Sequence, residues 1–357
     1  MTQEDRKTIF EGKNGIIKSN NNKSNRLTYV DVVSGIMICR MITSHCCQKS
    51  SYYNDSLEII LELLVFFMPW FFYKSGTFFS PKDSTKLLKK DTNKFIRCFI
   101  VYSFLGWIVW CIGELIGNYC NLLNCIIIPI KTLIVKGYIV GNPPLWFLLS
   151  LFFVRQIANY LFKGNNLYVL IMSFISFCFA YLLNIIGWHN YSFWFGNFFS
   201  GLFFFLMGYL FKNIEQKSIV FLISTFVFGI VVFAKFLGLL EFPFLYMGGN
   251  QMISGNYILF YPTALGGIIL TNNIFRLLCI RYKFGILEYI GRNSLYFYVM
   301  HWIIITIFVF LIRHFFHIES SLLFFIILLG ACVLFLPLFS NLIFFVKKKS
   351  VFLNRCL

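Results

Sequence analysis

The sequence is short of charge. Asp, Glu, Lys and Arg together make up 13% of 357 residues, about half the share of an ordinary soluble domain. Acid is the scarcer sign, with 14 Asp and Glu against 31 Lys and Arg. There is no Gly-x-x-x-x-Gly-Lys-Ser/Thr loop to cradle nucleotide phosphates, no Gly-x-Ser-x-Gly elbow to present a serine nucleophile, and no zinc-ligand spacing. The 11 cysteines contain no Cys-x-x-Cys pair, and most lie in apolar runs. They read as buried, inert thiols, with Cys46-Cys47 the one pair of note. No apolar signal region with a small-residue cleavage site opens the chain, so the first apolar helix is expected to be retained.

What is abundant is apolar side chain. Hydrophobic residues are 59% of the chain and aromatics 20%, and the mean hydropathy is +0.75. The apolar runs are about twenty residues long, rich in Phe, Ile and Leu, and lack the alternation of barrel strands. These features predict an all-α fold, a polytopic transmembrane bundle of about ten helices. The expected spans are 27–47, 57–73, 95–117, 145–161, 167–187, 193–211, 219–237, 257–270, 284–312 and 322–346. A short run around Pro129, carrying Lys131 and Lys136, is expected to stay outside as a surface or re-entrant segment.

The net charge of +17 does not point to nucleic acid, because the basic residues fall in alternate loops. Lys74, Lys82, Lys86, Lys89, Lys90, Lys94 and Arg97 mark the strongest inside loop. Ten spans and this alternation put both termini in the cytoplasm. The domain expectation is a flexible polar tail over 1–25, a membrane domain over 26–346 and a basic cytoplasmic tail over 347–357. No internal repeat is visible, which weighs against an inverted-repeat transporter.

The first span carries Asp31, Arg40 and His45. An ionisable group inside a span costs about 2.5–3.5 kcal/mol on insertion scales, so several in one helix suggest a polar cavity. At about 100° per residue, Asp31, Ser34, Gly35, Ile38 and His45 share one face, whereas Arg40 lies about 140° from His45. That face is expected to wall the active site, with His45 and Asp31 as its catalytic residues. Fourteen residues of helix separate the two by about 21 Å, so Asp31 is expected to organise the inner mouth. In the ninth span Ser294 and His301, seven residues apart, share a face.

Three stretches carry a resemblance. They are Tyr29-x-Asp31-x-x-x-Gly35-Ile36 with His45 ten residues after the glycine, Met68-Pro-Trp-Phe-Phe-Tyr-Lys-Ser-Gly-Thr-Phe-Phe79, and Gly291-Arg-Asn-Ser-Leu-Tyr-Phe-Tyr-Val-Met-His301. In this order and spacing they resemble the acyltransferase-3 family of multi-pass membrane O-acyltransferases. The resemblance implies transfer of an acyl group, most often acetyl, from acyl-CoA to a hydroxyl of a cell-surface glycan or its lipid-linked precursor at the cytoplasmic membrane. Acetyl-CoA is then a substrate, with no permanently bound cofactor and no metal. The partners are that donor, the glycan or lipid-linked sugar, and membrane lipid, but not nucleic acid.

His45 is the implied general base, or else a transient acyl carrier. The sequence departs from the family where Ser34 stands in place of an Arg or Lys eleven residues before the histidine, and Lys74 or Arg97 is a candidate to supply the missing cation. Donor or substrate contacts are expected from Ser34, Lys74, Ser75, Arg97, Arg292, Ser294 and His301. Trp146, in a Trp-Phe-Leu segment similar to the family's, is expected either to stack on a sugar or to join the interfacial belt. A transporter or flippase for a glycan precursor is the rival reading. Oligomeric state is left open.

Overall fold

The computed structural model describes residues 27–117, 121–162, 164–192, 194–316 and 318–349. The tail over 1–25 and residues 350–357 of the basic tail lie outside the described residues. Among the described residues the elements are helices and one two-stranded hairpin. Among the described residues nine helical segments are long and apolar enough to cross a membrane, and a tenth, Phe195–Phe211, is apolar but shorter. The chain is an all-α polytopic bundle.

Helix α1 (Thr28–Ser50) is the axis. It is buried nearly all round, as a helix without one apolar stripe must be. The second span is broken into α2 (Asp55–Leu63) and α3 (Phe67–Thr77). Pro69 explains the break. It has no N–H to give and its ring clashes with the carbonyl four residues back, which favours a break there and a new helix beginning around it. Val65 N–H turns back to Glu62 O instead of Leu61 O. The freed Leu61 carbonyl accepts from Arg40 Nη2 at 3.0 Å and Nε at 3.3 Å. The charge that falls off the His45 face therefore caps a neighbouring broken helix. Glu62 pairs with Lys235 at 3.0 Å, an ion pair between two spans.

Helix α4 (Ser84–Asp91) is capped by Asp83, whose carboxylate accepts from the N–H groups of Thr85 and Lys86. Those hydrogen bonds, with one from the Thr85 hydroxyl, hold the Asp83 carboxyl below its usual range. One π turn, Thr92–Ile96, joins α4 to α5 (Arg97–Ile116). The Pro129 run forms a short helix, α6 (Leu122–Lys136), ended by Gly137 at φ 72°. Then follow α7 (Trp146–Leu161), α8 (Asn166–Ile185), α9 (Trp194–Phe211) and α10 (Ser218–Phe236).

Strands β1 (Phe244–Tyr246) and β2 (Gln251–Ser254) pair antiparallel between α10 and α11 (Tyr257–Arg281). Their turn dips into the bundle. Asn250, at φ 52°, is buried, accepts from Ser200 and Tyr257 hydroxyls and donates to Ala180 O. Those three polar contacts hold it in a backbone region that side chains rarely adopt.

Helix α11 runs on to Arg281, well past the expected 270. Asn272 and Asn273, which lower the apolarity of that stretch, are buried and bonded: Asn272 accepts from Trp70 Nε1 at 2.8 Å and donates to Glu215 at 2.8 Å. The ninth span splits at Asn293 into α12 (Gly285–Arg292) and α13 (Ser294–Leu311), and α14 (Ser321–Lys349) closes the chain. Helix α12 crosses α1 at very short range. A Cβ on Gly291 would lie 1.7 Å from Asp31 O, and one on Gly35 would lie 2.2 Å from Leu287 O.

Candidate active site

Helices α1 and α13 bring His45 and His301 together. Their rings stack with centroids 5.3 Å apart and planes 22° from parallel, and Trp302 sets its edge on His45 at 5.0 Å. His301 is fully buried and its Nδ1 lies 2.6 Å from Tyr298 O. A carbonyl can only accept, so Nδ1 carries the hydrogen and Nε2 keeps its lone pair. Among the described residues that Nε2 has no hydrogen-bond partner, and neither has the buried Nδ1 of the half-buried His45. A neutral imidazole can take up or release a proton, so the two rings are chemically able to move one.

A cavity of about 360 Å³ lies one layer below the pair. Ile38 and Ser294 line it, and each precedes its helix's histidine by seven residues, a rise of about 10 Å. The wall toward the histidines is aromatic. Tyr298, whose hydroxyl donates to Pro144 O, packs on Phe147 at 5.6 Å and lies 6.1 Å from the His301 ring. Its mouth is cationic, with Lys74, Lys90, Lys94 and Arg155 around a single carboxylate, Asp91.

Lys74 and Ser75 line this cavity as residues of α3, and Lys74 Nζ donates to Ser34 Oγ across 3.2 Å. Of the two cations named as candidates for that position, Lys74 is the one that touches Ser34. Phe71 and Lys74 are three residues apart on one α3 face, and Lys74 also stands 5.0 Å over the Trp70 ring.

Other expected residues are placed elsewhere. Asp31 is buried far down α1 from His45, and its carboxylate faces Arg292 Nε at 3.5 Å. Arg292 also pairs with Glu288, one turn back on α12, so it closes the α1–α12 crossing and does not line the cavity. Arg97 is exposed at the start of α5 and does not line it either. Trp146 lies on the opposite side of α7, in a larger apolar cavity of about 770 Å³ between α7, α8 and α9, with its ring against Gly248 of the hairpin turn. Cys46 and Cys47 are buried free thiols.

Two groups at this end of the molecule are missing from the sequence reading. Arg155 sits within the apolar α7, where a charge is costly enough to signal a site by itself. Glu215 is buried under α3 and α11, accepting from Tyr73 at 2.9 Å and Asn272 at 2.8 Å. Burial pushes its carboxyl above the ordinary range, and those two hydrogen bonds oppose the shift. Its sequence neighbourhood, Lys212-Asn-Ile-Glu-Gln-Lys217, reads as a solvated turn, so nothing local marks it.

No curated protein and no solved structure matches the chain. A family model described as an acyltransferase domain matches residues 27–340. That interval begins at α1 and takes in the histidine pair, the cation-lined cavity and all three motifs. The chain is a membrane protein of the acyltransferase-3 family.

Proposed function

We propose that this acyltransferase moves an acyl group, acetyl in the simplest case, from acyl-CoA to a hydroxyl of a cell-surface glycan or its lipid-linked precursor, at the cytoplasmic membrane. The observation that carries the reading is the stacked His45–His301 pair, with unengaged ring nitrogens one aromatic layer from a cavity whose mouth is cationic. The cations face the side that the basic loops assign to the cytoplasm, where acyl-CoA is available.

In this mechanism the donor's anionic head rests at the mouth and its thioester arm reaches inward past Tyr298. His45 acts as general base and takes the acceptor hydroxyl proton as that oxygen attacks the thioester carbonyl. The C–O bond forms, the C–S bond breaks, and the proton passes from His45 to the leaving thiolate. His301, with its hydrogen fixed toward Tyr298 O, presents a second lone pair beside His45 and keeps that ring oriented. Lys74, on Ser34, provides the positive charge nearest the thioester arm.

The test is transfer of label from radiolabelled acetyl-CoA to glycan in membranes of cells expressing wild type or His45→Ala at equal level. Label entering glycan with wild type and lost in the variant is the expected result. Equal labelling in both would remove His45 from the mechanism. Wild-type membranes that neither label glycan nor cleave the thioester would overturn the acyl-CoA reading.

A further inference from the structure

The cavity mouth holds an unusual group for an anion-binding site, a completely buried carboxylate. Asp91 is 0% exposed and both its oxygens are engaged by Arg155. Nε donates to Oδ2 at 2.8 Å and Nη2 donates to Oδ1 at 3.2 Å, while Gln156 Nε2 adds a third hydrogen bond to Oδ2 at 3.2 Å. Phe79 and Phe95 lie against the guanidinium, 4.9 and 5.6 Å from their ring centroids. The guanidinium is therefore fixed along one edge and on its faces. Its remaining nitrogen, Nη1, donates to Ser75 Oγ at 3.3 Å, and both residues line the cavity.

A purely structural ion pair would leave the lining neutral. This one does not. Lys90, Lys94 and Arg155 are three cations of this lining and Asp91 is its one carboxylate, so these four residues alone carry a net charge of about +2 around about 360 Å³. The volume lies in the range of sites for small molecules of nucleotide size. Asp91 also directly precedes the π turn Thr92–Ile96, a local irregularity that is common at functional sites and costly elsewhere. The turn carries Lys94, so one irregular turn sets a cation beside the pinned arginine.

We propose that Arg155, held by Asp91, grips a phosphate of the acyl donor's nucleotide head, with Lys90 and Lys94 taking the remaining phosphate charge. The proposal rests on the reading of this cavity as the donor site. Arg155 binds the donor directly through the planar fork that suits phosphate oxygens. Asp91 is a positioning residue, acting only through Arg155.

The experiment uses the full-length protein in nanodiscs and compares binding of CoA, 3′-dephospho-CoA, pantetheine and inorganic phosphate, alongside turnover of acetyl-CoA and S-acetylpantetheine. Arg155→Ala is expected to weaken CoA binding and raise the KM for acetyl-CoA by about ten- to hundredfold, the range for one lost charge-assisted hydrogen bond. Binding of pantetheine and the KM for S-acetylpantetheine stay at wild-type values, since neither compound carries the phosphorylated nucleotide. Asp91→Asn shifts the same constants in the same direction, the double variant is no worse than Arg155→Ala alone, and Asp91→Glu recovers part of the loss. Arg155→Lys keeps the charge without the fork and gives a smaller loss, which covers the case of an alanine variant that does not fold. A 3′-dephospho-CoA affinity that is low in wild type and insensitive to Arg155 assigns the gripped group as the 3′-phosphate. Inorganic phosphate competing with CoA at micromolar concentration would make this a free-phosphate site and overturn the proposal. Wild-type CoA affinity in Arg155→Ala, or equal losses for pantetheine and CoA, would overturn it while leaving the donor reading in place. A wild-type protein that binds no CoA would remove both.

Discussion

Lys74 and Ser34 meet across 3.2 Å, the amine of α3 donating to the hydroxyl of α1. Ser34 is fully buried and stands where the resemblance implies a basic residue, and we propose that this charge has been exchanged between the two helices. Exchange predicts reciprocity. Ser34→Arg alone sets two cations against each other in a buried position, and acyl transfer is expected to fall at least tenfold, with a lower thermal midpoint. Ser34→Arg combined with Lys74→Ser returns the charge to α1 and is expected to recover most of the activity. A double variant no better than Ser34→Arg would show that the two positions are not equivalent.

The stacked histidines make a second expectation. General base catalysis contributes about 10²- to 10⁴-fold, so His45→Ala is expected to lose acyl transfer by that factor at an unchanged KM for acetyl-CoA. His301→Ala removes the neighbour that orients His45, and is expected to lose less. His301→Asn is more informative, because its side-chain amide can still donate to Tyr298 O but offers no ring to stack. Full activity in His301→Asn would confine His301 to its hydrogen bond.

Arg40 tests the broken second span. It is 6% exposed, gives two hydrogen bonds to Leu61 O, and lies 4.1 Å over the Phe67 ring on the far side of the break. It joins the two halves of that span. Arg40→Met keeps much of the packing and leaves the carbonyl without a donor, which costs about 1–3 kcal/mol. A lower thermal midpoint in detergent, at wild-type KM for the donor, is the expected result. A changed donor KM with an unchanged midpoint would place Arg40 in the site instead.

The ten apolar runs and their order were legible because a lipid-facing helix must be apolar over about twenty residues, and little else in a sequence looks like that. The shared face of His45 with Ile38 and Ser34 followed from helical period alone. What stayed hidden depends on contacts between distant residues. The break before Pro69 requires Arg40 to satisfy Leu61 O, twenty-one positions away. Glu215 is a loop residue until Tyr73 and Asn272 are folded over it. Asn250 sits in an outer loop by composition, yet its side chain is locked by α8, α9 and α11. Arg155 was different. Its charge within an apolar span was visible in the sequence, and only its partner, Asp91, required the structure. Trp146 is a different case. Its motif suggests either sugar stacking or the interfacial belt, and which cavity it lines was visible only in the structure.

Gly291 gives the sharpest test of the α1–α12 crossing, because no side chain fits there at all. A Cβ would sit 1.7 Å from Asp31 O and 3.0 Å from Gly35 N, both backbone atoms that cannot swing aside. Gly291→Ala must separate α12 from α1, and with them Arg292 from Asp31, whose 3.5 Å contact is one of the few charge pairs on the axis helix. The cost is about 3 kcal/mol, the upper end of overpacking penalties. Gly330, on α14, is the control: a Cβ there meets nothing within 4 Å. Alanine removes the conformational cost of a helical glycine, so Gly330→Ala is expected to raise the midpoint slightly. Thermal unfolding of the two variants in the same detergent compares them directly. Similar midpoints for both would show that the helices are not packed backbone to backbone at Gly291.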